Sequence, residues 1–228
     1  MQHYKIVHLC FYLIKSIKMS GYFSSSVGRK FFMALTGLFL VFFLLVHLIA
    51  NLTLFMGPDS FNATAEFMGT NPVIQVMQPI LALGFIAHII TGIILELKNR
   101  SSRPVSYTKN NVAANSSWMS RNMIVTGIMI FAFLVLHLIN YFIPIKTTHV
   151  ENHYELVVGL FKNPLYAGVY ILAFVFLGLH LMHGFQSSLT TTGIRRDKYQ
   201  NCIKTLGTIY SLVVALGFIA IAVWFHFA

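Results

Sequence analysis

The chain has 228 residues, of which 57% are apolar and only 10% are charged. A soluble domain carries about a quarter charged residues, so this composition excludes an ordinary water-soluble fold and makes lipid the main solvent. The formal net charge of +10 does not indicate nucleic-acid binding, because the basic residues lie in short segments between apolar runs, as membrane topology requires. The two cysteines, Cys10 and Cys202, form no CxxC or CxxCH pattern, which argues against disulfides, zinc sites, iron–sulfur clusters and covalently attached haem.

Residues 1–29 form a basic N-terminal segment that is expected to lie in the cytoplasm. Its apolar piece, residues 6–17, is interrupted by His8 and Lys15 and is too short to span a bilayer, so we expect an interfacial amphipathic helix. A small-residue cleavage site is missing, which argues against a signal peptide. The pair Met19-Ser20 has the character of a natural start, and we therefore expect residues 1–18 to be an upstream extension, which N-terminal sequencing would test.

Residues 30–228 are predicted to form one all-α membrane domain of five transmembrane helices, which we call spans one to five. Each is close to the length of about 20 residues that crosses a bilayer. Pro72 and Pro164 stand where spans two and four begin, and proline at a first helical position costs no hydrogen bond. The predicted spans are 30–55, 73–97, 120–143, 164–189 and 205–227.

Lysine and arginine are distributed unevenly between the loops. They are frequent in the N-terminal segment and in the second and fourth loops, whereas the first loop has only the acids Asp59 and Glu66. The third loop is balanced. The positive-inside rule therefore places the N-terminus in the cytoplasm and the C-terminus outside.

Spans one and three carry a repeat. Residues 36–48 read TGLFLVFFLLVHL and residues 126–138 read TGIMIFAFLVLHL, so a Thr-Gly pair precedes a histidine by the same distance in both. An imidazole in the middle of a membrane is costly without a partner. Two at matching places therefore indicate a shared purpose.

Five of the ten histidines are predicted to lie well inside the membrane, apart from His226 at the end of span five, and four of these five resolve into two layers. Counting at about 1.5 Å per residue from the cytoplasmic span ends places His47 and His137 at about 25 Å, and His88 and His180 at about 13–14 Å. We call His47 and His137 the outer pair, and His88 and His180 the inner pair. Two stacked haems, each held by two histidines in a four-helix bundle, have this layout. A bare Zn or Cu ion fits less well, because layers about 10 Å apart by helix rise cannot converge on one ion.

Glycine follows each inner histidine by four residues, as Gly92 and Gly184. Position i+4 lies on the same helix face, so glycine would leave room for a macrocycle beside the ligand. The alternative is that these glycines serve close helix packing. The fifth histidine, His183, competes with His180 for the ligand position. His180 shares the H-x-x-x-G spacing of His88, so His183 is predicted to be a neighbour of the haem or its propionates.

These motifs together resemble one known family. GLFL-x-x-F-x-x-x-H ending at His47, FIAH at His88, TG-x9-H at His137, and H-x-x-x-G-x8-G from His180 to Gly193 are similar to the dihaem cytochrome b anchor of succinate:quinone and quinol:fumarate oxidoreductases, in its single-chain, five-helix form. The resemblance covers most of the chain from about residue 24. It implies two haems b, with His88 and His180 on the haem proximal to the partner subunits and His47 and His137 on the distal haem.

The resemblance also implies partners and a proton site. A flavoprotein and an iron–sulfur protein would bind on the cytoplasmic side, and the chain would exchange electrons with a membrane quinone, menaquinone in many members. Some members use a carboxylate outside the first helix for quinone protons, and Glu66 lies in the corresponding loop; the alternative is a solvated loop acid. Some carry a glutamate two residues before the fourth-helix ligand, where this chain has Gly178. Glu96, beside Lys98, is expected to form an ion pair at the membrane interface.

Several alternatives stay open at this point. The complex could run as a succinate dehydrogenase or as a fumarate reductase, in the cytoplasmic membrane of a bacterium, with or without dimerising. The chain could be another dihaem cytochrome b, of the ascorbate-reducing or hydrogenase-anchor kind. A transporter with histidine proton relays is a further alternative, although the sequence has no inverted repeat with midplane charges.

Overall fold

The computed structural model describes residues 25–101, 118–148, 150–193 and 199–228. The described residues are helical with short turns and contain no strand. The predicted amphipathic helix at 6–17, the predicted upstream extension and most basic residues of the second and fourth loops lie outside the described ranges. The division at residue 30 stays a prediction.

Within the described ranges, five helices are long and apolar enough to cross a membrane, so the predicted all-α, five-span fold is confirmed. Each boundary falls within a few residues of its predicted position. Span one continues from its α-helix, Ser26–Leu52, into a 3-10 turn, Thr53–Met56. The other four are Pro72–Ser101, Met123–Thr147, Pro164–Thr191 and Gln200–Phe227.

The span ends follow local rules of helix capping. Spans two and four begin at the predicted prolines, and the side chains of Asn71 and Asn163 accept hydrogen bonds from the backbone N–H of the second residue of each helix, Val73 and Leu165, at 3.0 and 2.9 Å. These asparagines satisfy donors that a helix start leaves unpaired. Gly193, the last glycine of the family-like motif, has a φ of +79° just after span four, which is the left-handed position that ends a helix.

In the part of the chain that the structure describes, two helices of ten or more residues lie between spans, and neither was predicted. The first connecting helix is Pro58–Thr70 and the second is His153–Lys162. Asn62 links them, because its Nδ2 donates to Asn152 Oδ1 at 3.1 Å and its Oδ1 accepts from the Tyr154 backbone N–H at 2.9 Å. His226, at the end of span five, donates from Nδ1 to the Phe161 carbonyl at 2.9 Å, since a carbonyl oxygen can only accept. The two connecting helices thus together cover the end of the bundle at which span one ends and span four begins.

Span four is the centre of the packing. It contacts spans one, three and five, while span one contacts spans two, four and five. Small residues bring these helices close together, as is common in membranes. A Cβ at Gly178 of span four would lie 2.9 Å from Ala215 Cβ of span five, and one at Gly217 would lie 2.9 Å from Leu48 Cδ1 of span one. Spans one, four and five therefore pack against each other too tightly for larger residues at these positions.

Candidate haem-binding site

The inner histidines of spans two and four face each other. The ring centroids of His88 and His180 are 6.4 Å apart, with planes inclined by 72°. Both residues are partly buried between the helices. Their backbones belong to spans that run in the same direction, so each ring reaches across the bundle interior to the other.

The outer histidines of spans one and three are arranged in the same way. The ring centroids of His47 and His137 are 5.8 Å apart, with planes inclined by 86°. Eleven residues of span one separate His47 from Thr36, which lies beside His88, and this is about 16 Å by helix rise. This distance between the two histidine layers is larger than the value of about 10 Å that follows from counting residues from the predicted span ends. The two values differ because the ends of different helices need not lie at one depth.

Both separations suit a pair of axial imidazoles on one haem iron. With metal–nitrogen bonds of about 2 Å and about 1 Å from each nitrogen to its ring centroid, two axial rings have centroids about 6 Å apart. Within the described ranges, no three His, Cys, Asp or Glu side chains come together as a bare metal ion would require. The donor set, two neutral nitrogens on opposite sides, is one that haem iron accepts.

The Thr-Gly pairs of the repeat lie beside the inner histidines, not the outer ones. Thr36 Oγ1 is 3.3 Å from His88 Nδ1, and Thr126 Oγ1 is 3.2 Å from His180 Nδ1. The next residue, Gly37 or Gly127, lets the ring approach. A Cβ at Gly37 would lie 3.4 Å from His88 Cε1, and a Cβ at Gly127 would lie 3.7 Å from His180 Cε1. Each repeat thus supports an inner ring at one end and supplies an outer ring at the other.

Gly92 and Gly184 face methionines of neighbouring spans. A Cβ at Gly92 would lie 3.4 Å from Met33 Cε, and a Cβ at Gly184 would lie 3.7 Å from Met123 Cε. Each methionine stands three residues before the threonine of its repeat. A flexible thioether side chain can change rotamer to suit a bulky neighbour, so the predicted role of these glycines as room for a macrocycle stays a prediction. His183 is partly buried one turn after His180.

Aromatic rings surround the outer histidines. Phe43 stacks on His47 at 5.3 Å, and Phe133 lies 5.8 Å from His137, in both cases from the preceding turn of the same helix. A π-helical turn, Leu138–Phe142, follows His137 directly. It brings the Tyr141 ring to 5.2 Å from the His137 ring. Wide turns of this kind are frequent at functional sites, and nothing in the sequence predicted this one.

The two acids singled out by the sequence lie apart from the histidine pairs. Glu66 lies between spans one and two as expected, exposed on the first connecting helix, and its role in proton transfer stays a prediction. Glu96 forms the expected ion pair, and its partner is Arg100 at 2.6 Å. The reason is helix geometry, because residues four apart share a face and residues two apart do not.

Sequence reasoning missed Thr36 and Thr126 as neighbours of the inner ligands. The signal was present in the repeat, since M-x-x-T-G occurs at 33–37 and again at 123–127. The regular spacing relates each Thr-Gly pair to the histidine on its own helix and gives no information about the histidine on the adjacent helix. Contacts between helices depend on their relative rotation, which spacing within one helix does not specify.

The fold and the two histidine pairs define a class of protein, a multi-span helical membrane protein with paired intramembrane imidazoles. Residues 98–223, more than half of the chain, match the family described as succinate dehydrogenase/fumarate reductase transmembrane subunit. The chain belongs to this family. It is 26% identical over 191 residues to the succinate dehydrogenase cytochrome b558 subunit of Bacillus subtilis, an alignment that covers 81% of this chain and 88% of that protein.

The resemblance to the cytochrome b membrane subunits of this family is thereby confirmed. No solved structure matches the chain significantly.

Proposed function

We propose that this chain is the membrane-anchor cytochrome b of a succinate dehydrogenase and carries electrons through two haems b between an iron–sulfur subunit and membrane quinone. The observation that supports this most directly is the pair of ring separations, 6.4 Å for the inner histidines and 5.8 Å for the outer ones. Family membership supports the association with a succinate dehydrogenase or fumarate reductase complex.

The residues would act mainly by position. Bound haem supplies a one-electron redox centre at each layer. His88 with His180 would hold one haem and His47 with His137 the other, and two imidazole ligands for each haem would favour electron transfer over oxygen binding. The apolar spans would surround the haems with a medium of low dielectric constant. The two haem layers would divide electron transfer across the membrane into two steps. Succinate itself would bind to the flavoprotein partner.

The proposal extends to partners and location. The flavoprotein and iron–sulfur subunits would bind at the inner-pair end, in the cytoplasm. A quinone of the menaquinone type that the resemblance implies would react in the membrane. We place the chain in the cytoplasmic membrane of a bacterium, and the distribution of basic residues among the loops supports an orientation with the C-terminus outside. A fumarate reductase would use the same parts in the opposite direction, and a dimer of complexes is compatible with the exposed span faces.

A pyridine haemochrome assay on the purified native complex tests the proposal. We expect two non-covalent haems b per copy of this chain, together with a co-purifying flavoprotein and iron–sulfur protein. One haem would leave one histidine pair without its proposed role. Haem with different partner subunits would favour another dihaem cytochrome b, and a haem-free bundle would favour a histidine-based transporter.

Glu66 is proposed to assist quinone proton transfer from the first connecting helix. If it does, Glu66→Gln is expected to lower succinate:quinone reductase turnover by about tenfold or more, since positioned proton-transfer groups contribute about 10²–10⁴-fold. Succinate oxidation with a dye that takes electrons directly from the partner subunits is expected to stay unchanged. Asp59→Asn, which removes an acid from the first turn of the same helix, is the control. Equal activities of the two variants would make Glu66 a solvated acid.

A further inference from the structure

We infer that Thr36 and Thr126 are positioning residues that fix which nitrogen of His88 and of His180 carries the proton, and that they thereby lower the reduction potential of the inner haem. The inference rests on the proposed function, because it concerns imidazoles that bind iron. The protonated nitrogen of each histidine is assigned from which acceptor receives the single hydroxyl hydrogen of its threonine.

The hydroxyl proton of Thr36 is used by the backbone. Its Oγ1 lies 3.0 Å from the carbonyl oxygen of Phe32 and 3.1 Å from that of Met33. Carbonyl oxygens only accept hydrogen bonds, and these two contacts are shorter than the one to the ring, so we assign the single hydroxyl hydrogen to the backbone carbonyls. The oxygen is then an acceptor towards His88 Nδ1 at 3.3 Å. Nδ1 of His88 therefore carries the hydrogen.

Thr126 repeats the arrangement on span three. Its Oγ1 lies 3.0 Å from the Met123 carbonyl oxygen and 3.2 Å from His180 Nδ1. By the same reasoning, the ring hydrogen of His180 lies on Nδ1. A neutral imidazole with its hydrogen on Nδ1 has its lone pair on Nε2. Both inner histidines thus present Nε2, the nitrogen further from the backbone, as the ligand atom.

The outer pair lacks this support. Nδ1 of His137 is buried and has no hydrogen-bond partner among the described residues. A hydrogen bond from the second ring nitrogen orients a metal-bound imidazole and makes it more basic. More basic axial ligands stabilise the oxidised iron, and hydrogen bonding around the ligand is one of the ways a protein adjusts haem potential. The threonines therefore act on the inner haem and not on the outer one.

The test is a potentiometric titration of haem absorbance in the purified complex. The inner component is identified as the one lost in His88→Ala. Thr36→Val and Thr126→Val keep the shape of the side chain and remove its hydroxyl. We expect each to shift the reduced-to-oxidised ratio of the inner haem three- to tenfold towards reduction. At 59 mV per tenfold for one electron, this is about 30–60 mV upward. The two shifts are expected to add in the double variant, and the outer component is expected to stay unchanged.

Matched variants separate the hydroxyl from general packing effects. Thr36→Ser and Thr126→Ser keep the hydroxyl and are expected to keep the wild-type potential. Ser211→Ala removes a fully buried hydroxyl of span five that donates to the Gly207 carbonyl at 2.7 Å, and it is expected to leave both potentials unchanged.

The possible results of the titration distinguish a failure of the threonine inference from a failure of the proposed function. An unchanged inner potential in both valine variants, with two haems retained, overturns the inference. Loss of the inner haem in the valine but not the serine variants supports it, whereas loss in both overturns it, because the hydroxyl would then not be the cause. Fewer than two haems in the wild-type complex would instead refute the proposed function.

Discussion

Replacing either inner histidine with alanine is expected to lower the haem content of the complex from two to one per chain. His88 and His180 would bind opposite faces of one iron, so removing one ligand leaves the other unable to hold the haem alone. The double variant His88→Ala/His180→Ala is therefore expected to lose no more than either single variant. Strong non-additivity of this kind identifies residues that act on one shared element.

Substitutions across the pairs are expected to behave differently. His47→Ala combined with His88→Ala removes one ligand from each proposed haem, and we expect it to abolish haem binding. His47→Ala combined with His137→Ala is expected to leave one haem. The measurement is a pyridine haemochrome assay on the purified complex, with immunoblotting of this chain to count copies.

Two other histidines serve as controls for this experiment. His183 lies one turn from His180, and His226 contacts the Phe161 carbonyl at the opposite end of the bundle. Alanine at either position is expected to leave two haems. If His183→Ala removed a haem and His180→Ala did not, the inner ligand of span four would have to be reassigned. If a cross-pair variant kept one haem, the grouping into layers would be wrong.

The spans and the approach of the histidines follow from properties that are local in the sequence. An apolar run of the right length has few alternatives to a membrane helix, and each proline at a span start acts on its own turn. The matching steps from Gly37 to His47 and from Gly127 to His137 place both histidines at one depth. That depth is sufficient to expect the two rings near each other, and the structure brings their centroids to 5.8 Å.

The connecting helices and the contacts between spans depend on how helices pack against each other. The spacing of residues within one helix does not determine this packing. Residues 58–70 lie between the predicted spans one and two, and they were interpreted as part of the first loop for that reason alone. The helix there is stabilised by its cross-links to the second connecting helix. The threonine contacts to His88 and His180 and the close approach of spans four and five likewise join residues far apart in the chain.

Gly178→Leu is expected to destabilise the bundle more than any other single glycine substitution in span four. A Cβ at this position would lie 2.9 Å from Ala215 Cβ and 4.0 Å from the Ser211 carbonyl oxygen. A Cβ is attached directly to the backbone and cannot rotate away, so span five itself has to move. Overpacking of this kind costs about 1–3 kcal/mol, and leucine adds three more carbon atoms. His180 is two residues further along, so we also expect weaker binding of the inner haem.

Gly168→Leu is the matched control for that substitution. It lies on the same helix, is exposed, and a Cβ there would meet nothing within 4 Å. It therefore reports the effect of leucine in place of glycine without the contact to span five. Thermal unfolding of the detergent-solubilised complex, followed by haem absorbance, gives the comparison. About 2–4 °C is expected for each kcal/mol in a chain of this size, so Gly178→Leu is expected to melt several degrees lower than Gly168→Leu.

A reciprocal exchange tests whether the contact itself is responsible. Gly178→Ala adds one methyl group against Ala215, and Ala215→Gly removes the methyl group that it meets. The double variant Gly178→Ala/Ala215→Gly keeps one methyl group in the contact and is expected to recover most of the stability lost in Gly178→Ala. Failure to recover would mean that span four tolerates no side chain here for another reason. The same contact explains why a glutamate at position 178, found in some members of the resembling family, would not fit in this chain unless span five moved away.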